Sequence, residues 1–142
     1  MELLIVLALI GIFAAIVIAS LNTSRTKAAD AATKDALSST RSQAELLYSV
    51  SGSYANVCTQ NHVVNGVRSI YPQVQSAATV QGGLPVDTTA AEGSSEKVTC
   101  HAAAGGWAAA APLKKGGFFC VDWKGAAMET ATPLGNAATT CS

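Results

Sequence analysis

Glu2 is the residue whose setting most clearly points to chemistry, because it opens the uninterrupted apolar run of residues 3–19, LLIVLALIGIFAAIVIA. A charged side chain within such a span costs about 2.5–3.5 kcal/mol on insertion scales, so an intramembrane carboxylate usually has a partner or a function. Two interpretations are open. Glu2 either lies in the headgroup layer of a membrane, or it has a partner or a function within the apolar span.

Four cysteines, Cys58, Cys100, Cys120 and Cys141, follow the apolar run. No two of them form a C-x-x-C pair, which argues against a zinc ribbon or a thioredoxin-like motif. Four widely spaced cysteines after a membrane-targeting segment are typical of two disulfides formed outside the cytoplasm. Three pairings are possible. Because neighbouring strands of a meander place residues about 5.5 Å apart, we predict Cys100–Cys120, which leaves Cys58–Cys141.

The remaining candidates for chemistry carry weaker signals. His101 adjoins Cys100, but neighbours in a strand point to opposite faces and a disulfide removes the free thiol, so we expect no enzymatic activity. Asp87, Glu92 and Glu96 lie in a polar stretch that lacks the D-x-[DN]-x-[DN]-G spacing of a calcium loop. We expect these carboxylates to be solvated loop charges, and we expect neither a metal site nor a cofactor.

Composition limits the classes of partner. The 142 residues carry nine basic and nine acidic side chains, and charged residues make up only 13% of the chain. This balance provides no electrostatic footprint for nucleic acid or for an anionic surface. The length allows one modest hydrophobic core beyond the apolar N-terminus. We therefore expect one head domain behind one apolar segment.

A long helix must carry the apolar run. Residues 22–51 contain neither Pro nor Gly, and their small and apolar side chains recur at three- and four-residue spacings. Asp30 and Lys34, four residues apart, are expected among the charges on the other faces. Gly52 supplies a stop signal just after the last periodic residue. The pattern predicts one helix over about residues 3–51, apolar in its first half and amphipathic in its second.

The connecting region after this helix gives the least information. Residues 56–96 contain several Gly and Pro residues and a polar cluster, which predicts loop with one short helix around residues 63–74.

From Val98 onward the pattern has period two. Trp107, Ala109, Ala111 and Leu113 are expected on one face of a strand, and Phe119, Val121 and Trp123 on one face of the next. The predicted strands cover residues 98–103, 107–113 and 118–124. This pattern indicates a small antiparallel meander of three or four strands, one face of which packs on the amphipathic half of the helix.

The predicted fold is therefore α+β, with a long N-terminal helix packed on a small antiparallel β-meander head. Its divisions are the apolar segment 1–21, the amphipathic helix half 22–52, and the head 53–142. Within the head we distinguish the connecting region 56–96, the meander 98–131 and the C-terminal tail 132–142.

The stretch ELLIVLALIGIFAAIVI, which begins at Glu2, resembles the N-terminal signature of bacterial type IV pilins and of the related type II secretion pseudopilins. The likeness extends through SLNTSR at residues 20–25, AELLY at 44–48 and GSY at 52–54. The segment FFCVDWKG at residues 118–125 is similar to the C-V-D-x-x-G strand of many short pilin heads.

Two departures from the family pattern matter. Family members carry the glutamate as the fifth mature residue, whereas here it is the second. Either three mature residues precede this numbering, together with the leader peptide and the N-methylated first residue, or the N-terminus differs. Many members have Pro where Ala19 stands. Ala is about 3 kcal/mol more favourable than Pro inside a helix, which argues against unwinding between Gly11 and Ala19.

The resemblance implies a structural filament subunit, most simply the major pilin of a type IV pilus that serves adhesion, motility or DNA uptake. Its partners would be identical copies, the inner membrane before assembly, and an assembly machinery of prepilin peptidase, platform protein and ATPases. Its final location would be the extracellular pilus. The alternatives are a type II secretion pseudopilin and a signal-anchored binding module of the envelope.

The resemblance also implies roles for particular residues. Glu2 would set the axial register of assembly by meeting the N-terminal amine of a neighbouring subunit, and Gly11 would mark a flexible or close-packing point. The apolar filament core would be formed by Leu3, Leu4, Ile5, Leu7, Leu9, Ile10, Phe13, Ile16 and Ile18.

Overall fold

A computed structural model of the chain describes the backbone of residues 2–141 and the side chains of these residues other than Glu2, Leu4 and Ala19. The fold is α+β, as the sequence predicts: one long N-terminal helix packs on a small, mostly antiparallel sheet.

The long helix α1 spans Glu2–Ser51, 50 residues or about 75 Å at 1.5 Å per residue. It passes through Gly11 and Ala19 without a break. It ends where Gly52 adopts a φ of 70° and donates its N–H to the carbonyl oxygen of Tyr48 at 2.7 Å. A left-handed residue at this position is the cap that glycine favours, so both the helix and its end were predicted correctly.

The other elements all belong to the head. In chain order they are β1 Val63–Val64, β2 Val67–Arg68, α2 Tyr71–Val80, β3 Val86–Asp87, β4 Val98–Ala103, β5 Gly106–Pro112, β6 Phe118–Asp122 and β7 Ala127–Thr130. Strands β1 and β2 form a separate hairpin, and β3 to β7 form one five-stranded sheet in sequential order. Strand β3 runs parallel to β4, while the remaining pairs are antiparallel. The predicted meander thus has four strands, with a short parallel strand added at one edge.

Trp123 departs from the predicted strand pattern. Strand β6 ends at Asp122, whose carboxylate accepts the backbone N–H groups of Lys124 and Ala126 and so turns the chain. Trp123 therefore does not share the strand face of Phe119 and Val121, and 39% of its surface is exposed.

The connecting region also differs from the prediction, since α2 begins later than the expected helix and a hairpin precedes it. Asn65 and Gly66 have φ values of 50° and 82°, the positive pair that a tight Asn-Gly hairpin turn requires. Pro72 then occupies the first turn of α2, where its missing N–H costs nothing. The Asn-Gly dipeptide is a local turn signal, and it excludes a helix that begins at Val63.

The sheet has two differently covered faces. Its inner face packs on α1 and α2 and forms the main core, which includes Leu37 and Leu47 from α1 and Trp107 and Val121 from the sheet. Its outer face carries a smaller cluster beneath the C-terminal tail, built from Ala108, Ala110, Cys120 and Leu134. Alternate residues of a strand point to opposite faces, so β5 and β6 contribute to both clusters.

Candidate functional site

The described side chains in the first half of α1 form an apolar surface that no other described part of the chain covers. The described large apolar side chains from Leu3 to Ile18 are all at least 50% exposed, and Leu3 reaches 73%. The exposed members of the predicted filament core are Leu3, Ile5, Leu7, Leu9, Ile10, Phe13, Ile16 and Ile18. A helix that is apolar all round requires lipid or protein around it.

The two residues predicted to direct assembly lie on this exposed segment. Glu2 is the first residue of α1, and its side chain, like that of Leu4, lies outside the described residues. Apart from its two chain neighbours and the backbone of its own helix turns, Gly11 has no described atom within 4 Å of the position that a Cβ would occupy. Among the described residues, no contact therefore requires glycine here.

Helix α1, taken over Ile5–Ser51, is by length and composition able to cross a membrane. Its apolar part is not buried inside the protein. A signal sequence near an N-terminus passes the same test. The segment could therefore serve as a membrane anchor.

Asp30 fastens the second half of α1 to the sheet. Its buried carboxylate accepts the backbone N–H groups of Lys114 and Lys115 at 2.7 and 3.2 Å, and the side-chain amide of Gln81 at 3.3 Å. The expectation that Asp30 belongs to the charged outer faces was wrong. Asp30 instead accepts hydrogen bonds from two backbone donors at the turn between β5 and β6.

Lys34, four residues after Asp30, has a different partner. It forms an ion pair with Glu129 of β7, and Lys115 pairs with the same carboxylate. The hydrogen bonds from Lys115 and Lys34 lower the pKa of Glu129 to about 2. These side chains are largely exposed, so the cluster adds little to stability but maintains charge beside the start of the head.

Asp87 is not the solvated loop charge that the sequence suggested. It ends β3, and its carboxylate accepts hydrogen bonds from Lys97 and from the backbone and hydroxyl of Thr89. These hydrogen bonds, that from Lys97 first, hold the pKa of Asp87 well below its usual range. Glu92 and Glu96 are exposed, as expected. Among the described residues, no three His, Cys, Asp or Glu side chains are grouped closely enough to hold a metal ion.

Another polar contact lies at the C-terminal end of α1. Tyr54 is buried, stacks on Tyr48 with ring centroids 4.5 Å apart, and donates its hydroxyl to Glu45 at 2.8 Å. Burial, with a further contribution from this hydrogen bond, raises the pKa of Tyr54 to about 12.

The predicted disulfide pairing was wrong. The structure has Cys58–Cys100 and Cys120–Cys141, with Cα atoms 5.7 and 5.8 Å apart. Strand β5 lies between β4 and β6, so Cys100 and Cys120 are not on neighbouring strands. They also face opposite sides of the sheet, because Cys100 belongs to the inner core and Cys120 to the outer cluster.

Each disulfide consequently attaches one peripheral segment to one face of the sheet. Cys58 ties the chain just after α1 to the inner face, and Cys141 ties the C-terminal tail to the outer face. Asp122 supports the second attachment, since its buried carboxylate accepts the backbone N–H of Cys141 at 2.9 Å.

Sequence reasoning missed Asp30 and Asp122 as positioning residues. Both aspartates are buried and accept hydrogen bonds from backbone N–H groups. The donors to Asp30 lie in a turn distant in sequence, and those to Asp122 lie just after its strand and in the C-terminal tail. The Lys-Lys-Gly-Gly turn at 114–117 was a partial signal, because such a tight turn exposes N–H groups that need acceptors.

Comparison with known proteins adds no name to this arrangement: no family model, curated protein or solved structure matches the chain.

Proposed function

We propose that the chain is a structural filament subunit of the type IV pilin class, which polymerises through residues 3–21 and displays its head outward. The observation that carries the proposal is the contrast within α1: one unbroken helix exposes apolar side chains all round in its first half and packs into the head in its second. The exposed half is about 28 Å long at 1.5 Å per residue, which suits a bilayer while the subunit waits and a bundle of copies after assembly.

Small residues on the exposed half support close packing of copies. Gly11 and Ala15 are four residues apart on α1, the small-xxx-small spacing that lets two helix backbones approach each other in an apolar medium. Since no contact with the described residues requires the glycine, its use is better explained by a contact between chains.

The head is suited to an exposed position. Two disulfides connect its peripheral segments to its sheet, as is typical of proteins in oxidising surroundings. The proposal therefore assigns residues 3–21 of α1 to cohesion between subunits and the head to the outer surface, with assembly from the membrane by dedicated machinery.

The test is the distribution of the chain in cells that produce it. Shearing followed by ultracentrifugation is expected to recover the chain as thin filaments in negative stain, which about 1 M NaCl does not dissolve but detergent does, because apolar burial is nearly indifferent to salt. Ile10→Glu should prevent assembly, whereas Leu46→Glu, at an exposed site on the second half of α1, should not.

Glu2→Ala separates assembly from membrane insertion. It keeps the apolar span but removes the charge, so it is expected to leave the chain in the membrane fraction and reduce the sheared fraction about tenfold or more. Unchanged filament yield would remove the assembly role of Glu2. A wild-type chain that stays entirely in the membrane, without filaments, would refute the proposal in favour of an anchored envelope module.

A further inference from the structure

His101 is a buried histidine whose two ring nitrogens both meet backbone carbonyl oxygens. Its Nδ1 lies 3.0 Å from the carbonyl oxygen of Ala138 in the C-terminal tail, and its Nε2 lies 3.0 Å from that of Ala91. Only 1% of the residue surface is exposed. One ring thus connects two segments, residues 88–93 and 131–141, which together are called the cover here because they lie over the outer face of the sheet.

Two carbonyl oxygens around one ring are both satisfied by hydrogen bonds only when the ring carries two protons. A carbonyl oxygen only accepts hydrogen bonds, and a neutral imidazole has one N–H donor and one acceptor nitrogen. In either neutral tautomer, one nitrogen lone pair would face a carbonyl lone pair at 3.0 Å. The imidazolium cation donates at both nitrogens and satisfies both contacts.

The backbone of the cover is bent to make these contacts. Ala90 and Ala137, the residues just before the two carbonyl groups, have φ values of 65° and 52°, a left-handed conformation that alanine seldom adopts. The N–H of Ala137 also donates to the carbonyl oxygen of Ala90 at 2.7 Å. Strain on both sides of one ring indicates that the contacts to the ring help to maintain it.

The elements packed around the ring carry few ionisable groups. Ala108 of β5 pairs with His101 on one side and with Asp122 of β6 on the other, so the ring and the Asp122 carboxylate lie in one cross-strand row of the outer face. On the other side, Asp87 of β3 pairs with Lys97.

The two segments of the cover complete the surroundings of the ring. Residues 88–93 contribute the exposed Glu92. Residues 131–141 contain no side chain that ionises, since their one cysteine, Cys141, is in a disulfide.

We propose that His101 attaches the cover to the sheet in a proton-dependent way. As a cation, the ring donates hydrogen bonds to both segments of the cover, and loss of one ring proton breaks one of these bonds and lets the cover open. The stabilisation is present while the ring carries both protons and is lost as pH rises and one of them leaves. Disulfide Cys120–Cys141 keeps the end of the tail attached, so the expected change is a local opening of residues 88–93 and 131–140.

The first test is the protonation of the ring in the full chain, held in detergent micelles. Ring nitrogen chemical shifts from ¹⁵N NMR are expected to show both nitrogens of His101 protonated at about pH 6, with the neutral form appearing only at higher pH. A neutral pattern for His101 over the whole range from about pH 5 to pH 9 would overturn the proposal. His62, the other histidine, provides the internal reference.

The second test is the opening of the cover, followed by amide hydrogen exchange corrected for the intrinsic effect of pH. The reporters are the amides of Gly93 and Ala137, which donate to Leu134 and Ala90. Their protection is expected to fall about tenfold or more across the pH range in which NMR shows the ring losing a proton, while amides between β5 and β6 keep theirs.

The variants make the second test specific. In His101→Gln, the amide protection of the cover should no longer depend on pH. In the control His62→Gln, this protection should depend on pH as it does in the wild type. Persistence of the same pH dependence in His101→Gln, or equal loosening between β5 and β6 in the wild type, would show that the ring is only a structural contact. If His101→Gln does not fold, the ring shifts of the wild type still decide the question.

Discussion

The two halves of α1 belong to one helix but differ in what covers them. Residues 3–21 expose large apolar side chains, whereas in residues 30–47 the apolar positions facing the head, such as Leu37 and Leu47, are fully buried. The buried half is further fixed by Asp30 and by the stack of tyrosines at its end. The head can therefore hold its shape within one chain, whereas the first half of α1 depends on surroundings that lie outside it. Apolar sequence alone does not determine burial; the available partner does.

The largest expected effect comes from breaking a disulfide of the head. Replacing Cys58 and Cys100 by alanine opens a loop of 42 residues, which corresponds to about 4 kcal/mol of unfolding free energy in the chain-entropy model. Replacing Cys120 and Cys141 opens a loop of 21 residues and should cost about 3 kcal/mol.

Urea unfolding of the full chain in micelles, followed by Trp fluorescence, measures both losses. Helix content of the micelle-bound half of α1 should stay the same in both variants. If that helix melts together with the head, the two halves of α1 are not independent and the comparison fails.

A matched pair of leucines tests the comparison within one helix. Leu37→Ala removes a fully buried side chain and is expected to lower the unfolding free energy of the head by about 3 kcal/mol. Leu9→Ala is the same change at a half-exposed site, and should alter the stability of the monomeric head by less than about 0.5 kcal/mol. Its effect should instead appear in assembly. Equal losses of head stability from the two substitutions would contradict the exposed position of the first half.

The parts of the fold that could be predicted are those that local pattern determines. The helix shows in residues 22–51 through its spacing, and its end shows in Gly52. The strands predicted at 98–103, 107–113 and 118–124 correspond to β4, β5 and β6, although β6 ends at Asp122, because alternation of side chains is typical of a strand.

What could not be predicted depends on contacts distant in sequence. The disulfide pairing needs the strand order and the face to which each cysteine points, and an error in either changes the answer. The roles of Asp30 and His101 depend on which backbone groups the turn at 114–117 and the tail bring to them. Spacing placed Asp30 and Lys34 together on the charged faces of α1, whereas Lys34 pairs with Glu129 of β7. No spacing rule in the sequence contains this information.

The smallest expected effect is a change in the unfolding free energy of the head at acid pH. Because the pKa of Asp87 is held below its usual range by Lys97 and Thr89, its contribution is fully present above the unfolded pKa, about 4, and is lost as pH falls towards the folded value. Asp87→Asn should therefore cost about 2 kcal/mol at pH 7 and progressively less below pH 4, whereas the exposed Glu92→Gln should change little at either pH.

Urea unfolding at about pH 7 and pH 3 gives the measurement. A cost of Asp87→Asn that is the same at both pH values would mean that the carboxylate is not held ionised by its partners. That outcome would leave the edge of the sheet at β3 dependent on packing alone. The expected outcome also extends the comparison with the first half of α1: acid should weaken the head at a named carboxylate, whereas residues 3–21 contain no group that titrates.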